Sequence, residues 1–253
     1  MYHNRLIPCL SLRGHGLIKT KQFDGGRYLG DPINAVKIYN DREVDELFIT
    51  DIDASKNGAA PDIDYLRKIT QQCFMPAGYA GGVKTIDDVK ALFDIGFEKV
   101  AICTAAYTNP KLITEAANIF GAQSIVGVID VRTVDGMKMV YVESGRRMIS
   151  ESVSEYAKHL MELGAGELFV NSIDRDGMME GYDTELISVV SDAVSVPVVV
   201  CGGAGKLEDC RYAIEAGASA VAAGSMFVFW GRNKAVLINY PDADEINKEI
   251  NLA

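Results

Sequence analysis

The sequence predicts a (β/α)8 barrel of the TIM type, built from two related halves. Eight short apolar runs bounded by turn residues alternate with amphipathic stretches of helical period. Matching motifs recur at half the chain length, which is typical of an internal repeat. The 253 residues suffice for one such barrel and contain no linker or low-complexity stretch. We therefore expect a single domain over residues 1–253.

The strands and helices follow from local patterns taken in order. The alternation of a strand with a helix, repeated along the chain, indicates parallel strands joined by right-handed crossovers. Eight such units favour a closed barrel over an open sheet. Several predicted helices end at a glycine, as helix C-caps commonly do. The predicted strands cover residues 6–10, 47–51, 76–80, 100–103, 125–131, 168–173, 196–201 and 220–223. The clearest helical stretches cover residues 86–95, 111–120, 152–163, 183–193 and 207–216.

The internal repeat relates specific residues of the two halves. The matching pairs are Glu46 with Glu167, Gly81 with Gly202 and Thr104 with Ser225, each 121 residues apart. A constant offset predicts four βα units in each half, related by a pseudo-twofold axis. Residues paired in this way should face each other across the barrel.

Two glycine-rich turns follow the last two predicted strands and suggest an anion site. Gly203, Gly224 and Ser225 lie in turns where small residues let backbone N–H groups approach a ligand. Loops after strands 7 and 8 often bind phosphate in such barrels. The repeat places Gly82 and Thr104 equivalently, so a substrate with a phosphate at each end fits. The alternative is a set of tight turns without a ligand.

Composition limits the possible partners and cofactors. A formal net charge of −10 argues against nucleic acid as a partner. Five cysteines without C-x-x-C spacing, and scattered histidines including His3, suggest neither a disulfide framework nor a metal site, and we expect no cofactor. Residues 1–12 do not resemble a signal peptide, and no apolar run has membrane length. We expect a reduced, cytoplasmic protein without membrane association.

Long specific strings then resemble a known family over essentially the whole chain. They are Gly30-Asp31-Pro32, Asp51-Ile52-Asp53-Ala54-Ser55, Ser172-Ile173-Asp174-Arg175-Asp176-Gly177 and Gly181-Tyr182-Asp183. The sequence is similar to the cyclase subunit of imidazole glycerol phosphate synthase, a lyase of histidine biosynthesis. The resemblance implies a heterodimer with a class I glutamine amidotransferase (glutaminase) subunit, which supplies ammonia through the barrel. The implied substrate is a bisphosphorylated ribulosyl-formimino-imidazole-carboxamide. Lys19, Asp51, Asp176 and Gly177 match substrate-site positions.

The family's acid–base pair is incomplete in this sequence. The resemblance implies two catalytic aspartates, at the ends of strands 1 and 5. Asp130 ends the apolar run of strand 5, where a raised pKa suits proton transfer, unless it merely caps a turn. At the strand 1 position stands Ser11, whose hydroxyl cannot hold and return a proton as a carboxyl can. Lys19 matches a lysine on the family's mobile first loop, and we interpret residues 23–28 as that loop.

A group of four charged residues is predicted at the opposite face. Arg5, Glu46, Lys99 and Glu167 each precede a strand, so their side chains should meet as a ring of salt bridges. The resemblance implies that this ring is the gate for ammonia. The alternative is a stability network, although surface ion pairs contribute only about 0–1 kcal/mol each.

Three functions are compatible with this sequence. The first is a working cyclase, with a water or another side chain replacing the missing aspartate. The second is a paralogue that passes glutaminase-derived ammonia to a third protein, an amidotransferase making acetamidino sugars of surface polysaccharides (lipopolysaccharide). Residues 7–10, 31–35, 171–174, 201–205 and 223–225 resemble that branch, and we favour it. The third is a sugar-phosphate isomerase like the sister family, for which Ser11 is equally unsuitable and the gate has no role.

Overall fold

Eight parallel strands close into a barrel in the computed structural model, which describes residues 4–250. His3 and both ends of the predicted 1–253 domain lie outside the described residues. The eighth strand pairs with the first and the fifth with the sixth, so the described sheet closes on itself. The predicted (β/α)8 architecture is confirmed. The barrel strands are, in order, Arg5–Arg13, Leu47–Asp51, Ala77–Ala80, Lys99–Ile102, Ile125–Val134, Glu167–Ser172, Val198–Cys201 and Ala220–Ala223.

Alternation along each strand separates two apolar layers. In the second strand, Leu47 and Ile49 join the large core between strands and helices, whereas Phe48 belongs to a smaller cluster inside the barrel. This arrangement follows from the two-residue period of a strand. Side chains on the inward side therefore run along the barrel axis from one end to the other.

The helices cover the barrel and begin at well-formed caps. Thr85 with Asp88, and Ser152 with Glu155, form capping boxes that satisfy the first free N–H groups. Predicted boundaries differ from these helices by at most two residues. No helix among residues 4–250 combines the length and apolarity that a membrane crossing requires. The helices are Pro32–Asp41, Ile63–Thr70, Ile86–Asp94, Thr104–Thr108, Lys111–Phe120, Val153–Glu162, Thr184–Ser191, Leu207–Glu215, Ser225–Val228 and Ala243–Glu249, with short 3-10 turns at Ala122–Ser124 and Ile173–Arg175.

Two β-hairpins rise above the barrel, and the sequence prediction missed both. The first hairpin pairs Gly16–Lys21 with Asp24–Gly30, and the second pairs Met137–Val142 with Arg147–Ser152. The interpretation of residues 23–28 as a loop is therefore wrong. Gln22 and Phe23 form a tight turn with φ of 52° and 65°, and the following strand is mostly exposed. Its backbone is paired although its side chains show no apolar alternation.

The two halves repeat each other in three dimensions. The third and seventh strands, the fourth and eighth strands, and the helices Ile86–Asp94 and Leu207–Glu215 each begin 121 residues apart. The same offset relates the first strands of the two hairpins, Gly16–Lys21 and Met137–Val142. Each half therefore contributes one hairpin to the same end of the barrel.

Candidate active site

A cavity of about 340 Å³ opens where the carboxyl ends of the strands meet. In barrels of this class that end is where active sites are found. It brings together seven of the residues that the sequence singled out: Ser11, Lys19, Asp51, Gly82, Thr104, Asp130 and Asp176. Four others, Gly177, Gly203, Gly224 and Ser225, are not among the residues that line it.

Asp130 has a pKa raised to near neutrality. Its side chain is buried, with 7% of the residue exposed, on the fifth strand. Burial disfavours the charged carboxylate and raises its pKa to about 7, and the negative charge of Asp176 adds to this rise. The thiol of Cys103 donates to Oδ2 over 3.6 Å, which opposes it. A carboxyl with this pKa can both give and take a proton at physiological pH.

Ser11 and Asp51 complete the wall near the first and second strands. Ser11 pairs in register with Thr50 and lines the cavity. Asp51 follows Thr50, but its Oδ1 accepts from the N–H groups of Asp53 and Ala54, each at 3.0 Å. Burial raises the pKa of Asp51, and these two hydrogen bonds counteract that rise. Asp51 thus caps its own turn and does not replace a carboxylate at position 11.

An ion pair between Lys19 and Asp176 holds the first hairpin over the cavity. The Nζ of Lys19 lies 2.6 Å from Oδ1 of Asp176, and both side chains are buried. Thr20 donates to Oδ2 of the same carboxylate over 3.2 Å. Burial lowers the pKa of Lys19, but the charge and hydrogen bond of Asp176, with smaller contributions from Cys201 and Cys9, together outweigh burial and raise the pKa. Lys19 therefore lies on a strand held by an ion pair, where the sequence suggested a loop. A Cβ on Gly177 would lie 2.3 Å from the carbonyl oxygen of Thr20, so this hairpin packs tightly there.

The glycine turns are required by backbone packing. Gly203 has φ of 122°, and a Cβ there would lie 2.1 Å from the carbonyl oxygen of Gly181. Gly82 has φ of 69°, and a Cβ there would lie 2.5 Å from the carbonyl oxygen of Ala59. Both positions need glycine whether or not a ligand binds.

Gly203→Ala should lower the free energy of unfolding by about 2–3 kcal/mol, because the new Cβ meets a backbone atom that cannot move aside. Gly136→Ala is the matched control, since Gly136 has φ of 79° with no atom near its Cβ position. It should cost only about 1 kcal/mol. Urea unfolding measures both, and equal losses would show that the close approach carries no cost.

Thr104 and Ser225 occupy equivalent places but have different partners. Each begins a short helix directly after its strand. The hydroxyl of Thr104 accepts from the backbone N–H of Glu143, in the second hairpin, over 3.0 Å. The hydroxyl of Ser225 is buried and has no hydrogen-bond partner among the described residues. Lys19 Nζ would lie 3.3 Å from a Cβ on Gly224, the residue before Ser225, so a cation approaches this turn.

The four predicted ring residues meet at the opposite end of the barrel. Arg5 donates to the carboxylates of Glu46 and Glu167. Lys99 Nζ lies 3.0 Å from the carboxylate of Glu46 and 2.7 Å from that of Glu167. Both carboxylates are buried, at 3% and 5% residue exposure. Burial alone would lower the pKa of Arg5, but the two carboxylates raise it. The four side chains thus form a closed ring of salt bridges in which positive and negative charges alternate.

Sequence reasoning missed several residues that line the cavity. Ser144 and Arg146 come from the second hairpin, whose strands were not predicted. Phe48 and Phe169 form the floor of the cavity and are 121 residues apart, so the internal repeat could have paired them. No group of His, Cys, Asp and Glu able to hold a metal ion occurs within residues 4–250.

Comparison with known proteins identifies the family. A model described as "Histidine biosynthesis protein" matches residues 5–232. A Pseudomonas aeruginosa protein named "Putative imidazole glycerol phosphate synthase subunit hisF2" is 46% identical over 249 residues, 98% of this chain and 99% of that protein. A Vibrio vulnificus protein named "Putative imidazole glycerol phosphate synthase subunit hisF3" is 43% identical over 258 residues, 100% of this chain and 98% of that protein. A Streptomyces griseus protein named "Imidazole glycerol phosphate synthase subunit HisF" is 43% identical over 226 residues, 89% of this chain and 90% of that protein. The chain therefore belongs to the histidine biosynthesis protein family, as a HisF-like barrel.

Proposed function

We propose that this chain receives ammonia from a glutaminase partner through the barrel, and supplies it for amidino-sugar formation in surface-polysaccharide biosynthesis. The observation that carries the proposal is Ser11 in the cavity wall together with an intact ion ring at the other end. The end of the barrel where ammonia would enter thus has all four ring residues. At the cavity end, one of the two acid–base groups is absent, because Ser11 stands where an aspartate is expected. The acceptor lies on a third protein, an amidotransferase.

Cyclase chemistry needs one group that donates a proton and another that accepts one. Asp130 can fill one role. The other carboxylates near it are engaged, since Asp51 caps its turn, Asp176 pairs with Lys19, and Asp53 accepts from Arg13 Nε over 3.0 Å. A fourth carboxylate of the cavity lining, Asp24, accepts from the backbone N–H of Gly25 over 2.7 Å. None of these four carboxylates lies on the strand that carries Ser11.

The place of the ring supports binding of a partner. Arg5, Glu46, Lys99 and Glu167 lie at the amino ends of their strands, where a glutaminase subunit can cover them and release ammonia directly onto them. The relatives named as synthase subunits support a two-subunit assembly. Size-exclusion chromatography with the cognate glutaminase should give a heterodimer, and elution as separate proteins would overturn the proposal.

The second candidate is a working cyclase of histidine biosynthesis. Three features favour it, namely the near-neutral pKa of Asp130, the cation of Lys19, and the unpaired hydroxyl of Ser225 at a turn suited to phosphate. In that case a bound water or the substrate itself must carry the second proton. The products would be imidazole glycerol phosphate and aminoimidazole carboxamide ribonucleotide.

Turnover of the ribulosyl-formimino intermediate with excess free ammonium separates the two functions. We expect none from the unaltered protein, because only one acid–base group faces the cavity. Ser11→Asp restores the pair, so a gain of about 100-fold over background is expected if the substrate pocket is intact. Ser11→Asn is the matched control, since the amide of asparagine has nearly the same size as the carboxyl of aspartate but cannot give up and take back a proton. Turnover by the unaltered protein would establish the cyclase instead.

A further inference from the structure

A third hairpin lies at the cavity end of the barrel, beside the two already described. It pairs Phe229–Trp230 with Ala235–Val236, directly after the short helix that follows the eighth strand. We call residues 16–30, 137–152 and 229–236 the hairpin face. Each of these segments follows a barrel strand at its carboxyl end, so all three lie on the side where the cavity opens.

Contacts between the hairpins make this face continuous. Arg27 of the first hairpin donates to the carbonyl oxygen of Lys234 over 2.7 Å. The same guanidinium lies 5.4 Å from the ring centroid of Phe229. The first hairpin also packs closely on the second, since a Cβ on Gly145 would lie 3.0 Å from the ring of Phe23. The three hairpins therefore present one surface to a molecule that approaches the cavity.

Exposed apolar side chains are concentrated on the hairpin face. Among residues 4–250, six of the ten exposed large apolar residues lie on it or directly after it. The most exposed of the six are Tyr28, at 69%, and Met137 and Trp230, each at 62%. Aromatic residues and methionine are enriched in protein–protein interfaces, and clustered apolar exposure marks such surfaces. The other three residues are Met148, Val236 and Leu237.

A groove of about 530 Å³ runs beside Trp230. Its lining includes Met179 and Met226, together with the cations of Lys206 and Lys234. The groove is separate from the cavity, since the two have no lining residue in common. Apolar walls with cations beside them suit an apolar side chain that is flanked by carboxylates.

The charge of the hairpin face is opposite in sign to that of the rest of the chain. Its three segments contain eight Lys and Arg against three Asp and Glu, whereas the remaining residues contain 17 against 32. The excess is largest on the first and third hairpins, which hold five cations against Asp24 alone. Six of the eight cations do not line the cavity, so a ligand inside the cavity does not account for them. The face therefore suits a protein partner with an acidic surface.

We propose that the hairpin face is the docking surface for the amidotransferase that accepts the ammonia. It binds an acidic surface of that protein, with Trp230 as the apolar anchor and Arg232 and Lys234 as the adjacent cations. This inference rests on the proposed delivery of ammonia to a third protein. Docking here places the acceptor over the cavity, at the end opposite to the glutaminase, so that both partners bind the barrel at once.

The affinity of the acetamidino-sugar amidotransferase for the preformed complex of this chain with glutaminase tests the proposal. Trp230→Ala should weaken binding by about tenfold or more, because large aromatic side chains dominate interface affinity. Arg232→Glu combined with Lys234→Glu should weaken binding by a similar factor in about 0.05 M NaCl, and less in about 0.3 M, where salt screens the charges. With limiting amidotransferase, product from glutamine should fall in both variants, whereas product from free ammonium should not change.

Matched controls come from the outer helices. Ile119→Ala is the control for Trp230→Ala, because Ile119 is 58% exposed on the helix Lys111–Phe120. Lys68→Glu combined with Lys90→Glu is the control for the charge reversal, because it changes the net charge equally at two helices away from the hairpins. Neither control should change the affinity by more than about twofold at the higher salt concentration. All these variants should still bind glutaminase, which verifies that they are folded.

The outcomes separate this inference from the function beneath it. If the unaltered chain gives product from ammonium but none from glutamine, no ammonia is delivered and both are overturned. If product forms from glutamine while either hairpin variant keeps full affinity, or without any complex with the amidotransferase, only the docking surface is overturned. In that case, self-association of the chain or binding to anionic lipid vesicles that both hairpin variants abolish would identify the occupant of the face instead.

Discussion

Asp130→Asn is expected to stabilise the fold at pH 8 while removing proton transfer in the cavity. The unfolded chain has a carboxyl of pKa near 3.8, and the folded chain raises that pKa to about 7. The folded protein thus holds a proton more tightly, so stability falls as the pH rises from about 4 to about 7 and the full cost is present above that. The difference corresponds to on the order of 4 kcal/mol.

Urea unfolding of both proteins across pH measures this effect. At pH 8 the variant should be more stable, and the advantage should shrink towards zero below about pH 4, where the carboxyl of the unaltered protein is protonated in both the folded and the unfolded state. The same advantage at every pH would contradict the burial argument. In the Ser11→Asp background, cyclase turnover that survives Asp130→Asn would remove Asp130 from the chemistry altogether.

Arg5→Met should cost about 3–5 kcal/mol of stability, the second large effect. Without Arg5, the carboxylates of Glu46 and Glu167 stay buried with Lys99 as their one remaining partner in the ring. Arg147→Met is the control, because the pair of Arg147 with Glu143 is exposed and spans 3.4 Å. It should change stability by less than about 1 kcal/mol.

The same variant separates a gate from a purely structural ring. If the ring is a gate, Arg5→Met in complex with glutaminase should form less product per glutamine hydrolysed, because ammonia then meets a ring that lacks one of its four charges. If the ring is purely structural, the folded fraction of the protein should form the same amount of product per glutamine hydrolysed as the unaltered protein. Denaturation midpoints measured on the same samples give that fraction.

The barrel was predictable because its signals are local and repeated. The inner and outer sides of Leu47–Asp51 are apolar, so the strand forms a continuous run, and its equivalent recurs 121 residues later. The hairpins gave no such signal. Asp24–Gly30 pairs through its backbone while most of its side chains face solvent, so neither alternation nor burial marks it.

Seven of the candidate residues could be placed at one cavity from the sequence, but their contacts could not. Sequence position placed Ser11 and Asp130 at strand ends; both line the cavity, but their strands continue past them into the hairpins, to Arg13 and Val134. The ion pair of Lys19 with Asp176 joins residues 157 apart, and the hydrogen bond from Glu143 to Thr104 depends on the second hairpin. Such partners follow from how the hairpins fold over the cavity, which no local pattern encodes.

The two glycine turns and the Ser225 hydroxyl differ in what they can reveal about other barrels of this kind. Gly203 is demanded by the backbone of Gly181, so a barrel that had lost its ligand would retain it. The hydroxyl of Ser225 is buried without a partner, which costs about 1–3 kcal/mol. Alanine would relieve that cost in a barrel that no longer bound an anion there. Across related sequences, serine or alanine at this single position therefore separates barrels that still hold an anion from those that keep only the shape of the site.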